Sequence, residues 1–227
     1  MYIATFIEGR PHMAKNILEE IRKEQVINAT KKLIIEKGYS NFSMKDVAAE
    51  MDMSTGLIYH YFENKDDLLL QVLKHSFREP RQRAIDTVKP LPDFFDKIST
   101  YIDNTNEVPL HNPEFYIVLL NYLGQVMYAP DIEHILSKFL GNLRMFIDQI
   151  LEFGESQDII TKQESEGLSE LLIATSMGIA FQNIVDPQGF ELEKALKKHK
   201  EIVMHYLKTY RMNGGKSGDD SSPTPGD

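Results

Sequence analysis

The side chains best suited to recognition chemistry are gathered in one short stretch, Thr55 to Tyr61. Taken as a helix of about two turns, it points Ile58 and Phe62 together into the protein and turns Gly56, Leu57 and His60 the other way. Thr55, Tyr59 and Tyr61 lie on the flanks, and no formal charge occurs until Glu63. A glycine, a leucine, a histidine and two tyrosines are an odd choice for plain contact with water. They suit the major groove of duplex DNA. There a small residue allows close approach, an apolar group meets a thymine methyl, and hydroxyls and imidazole reach phosphates or base edges.

The neighbouring residues supply elements that would hold this face in place. Ser43, with Asp46 three residues on, makes a capping box for a helix through about Met51, whose Val47, Ala48 and Met51 share one face. Asp52 and Met53 interrupt it, and Ser54 is the N-cap of the next helix. Asn64, with Asp67 at its N3 position, caps a third helix beginning near Lys65. Upstream, Ile17, Ile21, Val26, Ile27, Ala29, Leu33 and Ile34 set a helical pattern over residues 16–37 that Gly38 ends. Lys31 and Lys32 read as solvated; Lys15 to Lys23 either lie in solvent or touch the DNA backbone. Two short helices joined by a tight turn and braced by longer ones form a DNA-reading element.

The residues Phe42-x-Met-Lys-Asp-Val-Ala and Ser-x-Gly-x-Ile-Tyr-His-Tyr-Phe-x-Asn-Lys-x-x-Leu-Leu, with Glu-Lys-Gly-Tyr upstream, resemble the N-terminal domain of the TetR/AcrR family of bacterial transcriptional regulators. The resemblance runs from about Gln25 to Leu70; beyond it only length and helical character agree. It implies that Thr55, Gly56 and Leu57 face bases, that Tyr59, His60, Tyr61 and Lys65 hold phosphates, and that Lys45 reaches a guanine or a phosphate. Ser54, the cap, completes the DNA-binding set. The family usually has a glycine in the turn where this chain has Asp52, a residue that tolerates the left-handed region better than most.

The remaining chemistry is excluded by what is missing. The sequence has no Walker loop, no G-x-G-x-x-G, no H-E-x-x-H, no G-x-S-x-G and no cysteine. His199 and His205 are six residues apart, which does not put them on one helical face as paired metal ligands would be. No catalytic residue, metal or cofactor is therefore expected. The 227 residues are 42% hydrophobic, enough for a sizeable core, and no apolar run approaches the roughly 20 residues of a membrane span. The reading is a soluble cytoplasmic protein with no membrane partner. Its formal charge of −9 argues against DNA binding only in bulk. Charge acts within a Debye length of about 8–10 Å, and lysines cluster around the proposed head.

Residues 1–12 read as a vector-derived or disordered leader, because Ile7-Glu8-Gly9-Arg10 resembles a processing-protease site and His12-Met13 a cloning junction. Residues 213–227, rich in Gly, Ser, Pro and Asp, read as a disordered tail. Between them, residues 13–64 form the helix-turn-helix domain and 65–212 a helical effector-binding and dimerisation domain. The fold class is all-α, with an N-terminal three-helix head and a C-terminal helical bundle. Helices are expected over Asp93–Asn104, Pro113–Ala129, Pro130 to about Glu155, Lys162–Val185 and Glu191–Tyr210, and Pro80 is expected to shorten or kink the helix from Lys65.

The Lys162–Val185 helix is apolar over more than one face, with Ala174, Ser176, Gly178 and Ala180 allowing close approach. Paired with the last helix, it matches the family's four-helix homodimer interface, which implies a two-fold, inverted-repeat operator. Phe115, Tyr116, Leu119, Tyr122, Met127, Met145, Gln149, Met177, Phe181 and Gln182 are the residues from which a small hydrophobic effector's pocket would be built; an ordinary helical core would use the same types. The expectation is a repressor that binds a palindromic operator in double-stranded DNA as a dimer and is released by a small molecule. Two alternatives stay open: a ligand-independent DNA-bound organiser working through protein partners, and an α-helical enzyme or carrier using the body pocket.

Overall fold

The computed structural model describes residues 11–213. Most of the expected leader and tail thus lies outside the described residues, but Pro11 and His12 open the first helix and Asn213 closes the last. Proline is well tolerated at a first helical position, where its missing N–H has no partner to lose. Among the described residues there are eleven helices and no strand. They are α1 (Pro11–Lys37), α2 (Met44–Glu50), α3 (Thr55–Tyr61), α4 (Lys65–Ser76), α5 (Arg78–Val88), α6 (Phe94–His111), α7 (Glu114–Leu123), α8 (Pro130–Ser156), α9 (Lys162–Ser165), α10 (Leu168–Val185) and α11 (Leu192–Asn213).

These helices form two compact units, and the division differs from the boundary at residue 64 that the motif implied. One unit runs through Arg78 and takes in Ile117–Ile135; the other comprises Glu79–Tyr116 and the chain from Leu136. The reason lies in packing, since α4 lies on α1 and belongs to the head's core.

In the first unit, α2 and α3 are seven residues each, too short to be stable alone. Caps and buried side chains hold them. The Ser43 hydroxyl accepts from Asp46 N at 3.3 Å while the Asp46 carboxylate accepts from Ser43 N at 2.7 Å. The Ser43 hydroxyl and then Lys37 hold the Asp46 carboxyl well below the usual carboxylate range. Asp52 adopts φ +51°, the left-handed turn expected of it, and Met53 N closes the turn on Ala48 O at 2.9 Å. Val26, Ile34, Val47, Ile58, Leu68 and Val72 meet in a core with no solvent exposure.

The second unit is built around α6. Phe94, Ile98, Tyr101 and Ile102 fall on one face and pack with Ile147, Leu151, Leu172 and Leu207. Phe94 lies so close to α8 that a Cβ on Gly154 would stand 2.7 Å from its ring. α6 extends past the expected Asn104 to His111, with Pro109 inside its last turn. The expected Pro113–Ala129 helix stops at Leu123, where Gly124 begins a series of tight turns.

Two further breaks follow from single residues. α4 and α5 separate at Phe77, and Pro80 in the first turn of α5 has no N–H to return to Ser76. The expected Lys162–Val185 helix is interrupted at Gly167, which adopts φ +78°. Contrary to the sequence reading, that stretch is long and apolar enough to meet the criterion for a membrane span. In this fold Leu168, Leu172, Ser176 and Ala180 bury one of its faces in the protein.

Candidate nucleic-acid interface

α3 presents the face that its spacing implied. Ile58 is fully buried and Phe62 nearly so, which fixes the helix's rotation. Leu57 is 38% and Tyr59 52% exposed, and Gly56 and His60 are exposed beside them. The His60 ring meets Tyr61 edge-on at 5.2 Å, and Thr55 and Tyr61 are half-buried on the flanks. Ser54 spends its hydroxyl on the cap, accepting from Leu57 N at 3.3 Å.

Gly56 is informative because nothing in the protein requires it. Its φ is not positive, and an added Cβ would meet only the Ser54 hydroxyl, at 4.0 Å. Glycine inside a helix costs about 1 kcal/mol relative to alanine. An alanine would fit at this position without a clash inside the protein.

The lysines around this face divide by what they touch. Lys32 pairs with Glu50 at 2.6 Å and Lys37 with Asp46 at 2.9 Å, tying α1 to α2. Lys45, exposed on α2, makes no ion pair among the described residues. Lys65, matched by resemblance to a phosphate-holding position, is engaged internally. Its ammonium donates to Phe42 O at 2.7 Å and Ser40 O at 3.1 Å and stands 4.3 Å from the Phe42 ring centroid. Burial lowers its pKa, against the opposing pull of Asp66 and Asp46. Lys65 therefore also positions the loop leading into α2.

Two residues of this unit were not legible as part of the head. Asn121 accepts from Tyr39 N at 3.1 Å, and the Tyr122 hydroxyl donates to Leu69 O at 2.5 Å. Tyr39 and Tyr122 meet edge-to-face at 5.1 Å. Tyr122 was expected in an effector pocket; here burial and the Tyr39 ring beside it keep its hydroxyl a neutral donor.

The other expected pocket residues are divided between the two units and differ in burial. Leu119 is buried in the first unit; Phe115 and Tyr116 are buried in the second. Met127, Met145, Gln149 and Gln182 are exposed, and Met177 is half-buried. Tyr116 and Phe181 are brought into ring contact at 5.7 Å. An open groove of about 810 Å³ lies instead on α11, lined by residues that include Ile202, Met204, His205 and Tyr206. Leu171 and Val185 on α10 and Ile202 on α11 are also exposed.

A capped pair of short helices, a left-handed turn between them and an uncharged exposed face on the second define a helix-turn-helix protein that reads duplex DNA. Residues 26–72 match the family model described as bacterial regulatory proteins, tetR family. The chain is 33% identical over 202 residues to the HTH-type transcriptional regulator BetI of Burkholderia mallei, covering 86% of this chain and 98% of that protein. The fold is similar to a TetR transcription regulator from Haloarcula marismortui, at 19% identity with a TM-score of 0.74, covering 84% and 98% of the two chains. It is also similar, at 18% identity and a TM-score of 0.70 over 82% and 97%, to a Saccharomonospora viridis protein described as a transcriptional regulator and solved with choline. The chain belongs to the TetR family of bacterial regulatory proteins. It is a DNA-binding transcriptional regulator and not an enzyme.

Proposed function

We propose that this regulator is a cytoplasmic repressor that binds an inverted-repeat operator as a homodimer and is released by a small molecule. The observation that carries it is the exposed face of α3, where Gly56, Leu57, Tyr59 and His60 stand clear of the protein's own core. Thr55, Gly56 and Leu57 face bases, with Ser54 at the helix start; Tyr59, His60, Tyr61 and Lys45 hold the backbone or a flanking base, and Lys65 lends a remaining N–H to phosphate. The first unit, through Arg78 and with Ile117–Ile135, acts as the reading head, and the second as the body that dimerises and senses.

The exposed apolar residues Leu171, Val185 and Ile202 on α10 and α11 support dimerisation through those helices. Two heads on a two-fold axis would read two half-sites one or more helical turns apart. The effector would act through its differential affinity for DNA-competent and incompetent states. That a structural neighbour binds choline supports a small-molecule effector for this fold.

The test is a fluorescence-anisotropy titration against DNA from upstream of the protein's own gene, beside shuffled DNA, at two salt concentrations. Tight, salt-sensitive binding to the native fragment alone is the expected result. Equal weak binding to both fragments argues against this operator.

A further inference from the structure

Which base pairs α3 meets follows from the groups its face lacks. In the major groove guanine is read by Arg or Lys, adenine by Asn or Gln and cytosine by Asp or Glu, while thymine offers a methyl to apolar side chains. The α3 sequence Thr-Gly-Leu-Ile-Tyr-His-Tyr contains none of those six polar types. The Thr55 hydroxyl can meet more than one base and so selects none, and His60 is assigned above to the backbone or a flanking base. Lys45 stands on α2, so a guanine contact from it falls beside the α3 footprint. Leu57 is an apolar side chain held in solvent on a helix whose inward position Ile58 already fills. Gly56 spends helix stability with no steric reason inside the protein, its Cβ position being open. Together they leave the first turn of α3 open to close approach beside an exposed apolar side chain.

We infer that the base pairs facing Thr55, Gly56 and Leu57 in each half-site are T·A pairs, read through the thymine C5-methyl. Leu57 covers one methyl, and Gly56 lets the groove floor approach the helix backbone. The inference rests on the DNA reading proposed above and specifies the sequence class of its target.

The full chain is selected against a library of randomised DNA duplexes, and each thymine of the enriched half-site is then replaced by deoxyuridine, which removes the methyl alone. The expected half-site has adjacent thymines. Burial of one methyl corresponds to about fourfold in Kd per replacement. At the position facing Leu57 that penalty should vanish in Leu57→Ala, whereas the replacements on the wild-type chain need no variant to fold. An enriched half-site with guanine or cytosine at those positions, or thymines indifferent to methyl removal, overturns the inference and leaves sequence-specific binding standing. No enrichment from the library overturns the proposed DNA reading itself, and the inference with it.

Discussion

The Tyr122 hydroxyl, at the end of α7, donates to the main-chain carbonyl of Leu69 in α4 at 2.5 Å, with both residues buried. One residue earlier, Asn121 accepts from the Tyr39 amide. The end of α7 is thereby part of the head unit, joined to α4 and to the turn that follows α1. Tyr122→Phe should retain the ring contact with Tyr39 and lose only the hydroxyl's bond. The expected cost is about 1 kcal/mol, read as a lower urea midpoint with an unchanged slope.

Gly56→Ala should move stability and binding in opposite directions. The added methyl meets no close neighbour in the protein and improves helix propensity, so unfolding should become harder by about 0.5–1 kcal/mol. DNA affinity should fall at least about tenfold, a cost of about 1.4 kcal/mol. Thermal melting and anisotropy on one preparation read both, and unchanged affinity would count against close approach at this residue.

Gly154 and Gly141 lie on the same helix and should respond differently to alanine. At Gly154 the new Cβ would stand 2.7 Å from the Phe94 ring, whereas at Gly141 it meets nothing within 4 Å. Overpacking at the first should destabilise the second unit by about 1–3 kcal/mol. The second substitution should be neutral or stabilising. Paired urea titrations decide it.

His199 should make the fold less stable in acid. Its Nε2 lies 2.9 Å from the Thr175 hydroxyl, which itself donates to Leu171 O; Nδ1 is buried without a partner among the described residues. Desolvation lowers its pKa from the ordinary 6.5. The unfolded chain therefore binds the proton more readily than the folded one. Its contribution is fully present above 6.5 and is lost as pH falls through 6.5 toward the lower folded value. Melting temperatures from about pH 7.5 down to about pH 5 should decline more steeply for wild type than for His199→Gln. Parallel curves would assign the acid sensitivity elsewhere.

The reading surface was legible because it is local. Ser43 with Asp46, Ser54 with Leu57 and Asn64 with Asp67 are all three residues apart, and helix geometry fixes such pairs whatever the rest of the chain does. Ile58 inward and Gly56, Leu57 and His60 outward follow from the same periodicity. The left-handed turn at Asp52 was implied by the resemblance, which has a glycine there, and Asp tolerates that region better than most residues.

What only the tertiary structure decided lies at long range. Lys65 could be matched to a phosphate from its motif, but its bonds to Ser40 and Phe42 span 25 and 23 residues. Tyr122 and Met127 are both of types that suit a pocket; one is fully buried and the other 85% exposed. The sequence by itself determined the caps, the turn and the outward face of α3, since each depends on backbone geometry within a turn or two. Partners across 53 residues for Tyr122 and 82 for Asn121 depend on how whole helices pack. Apolar packing is non-directional, so many pairings satisfy the same pattern until the entire core is assembled.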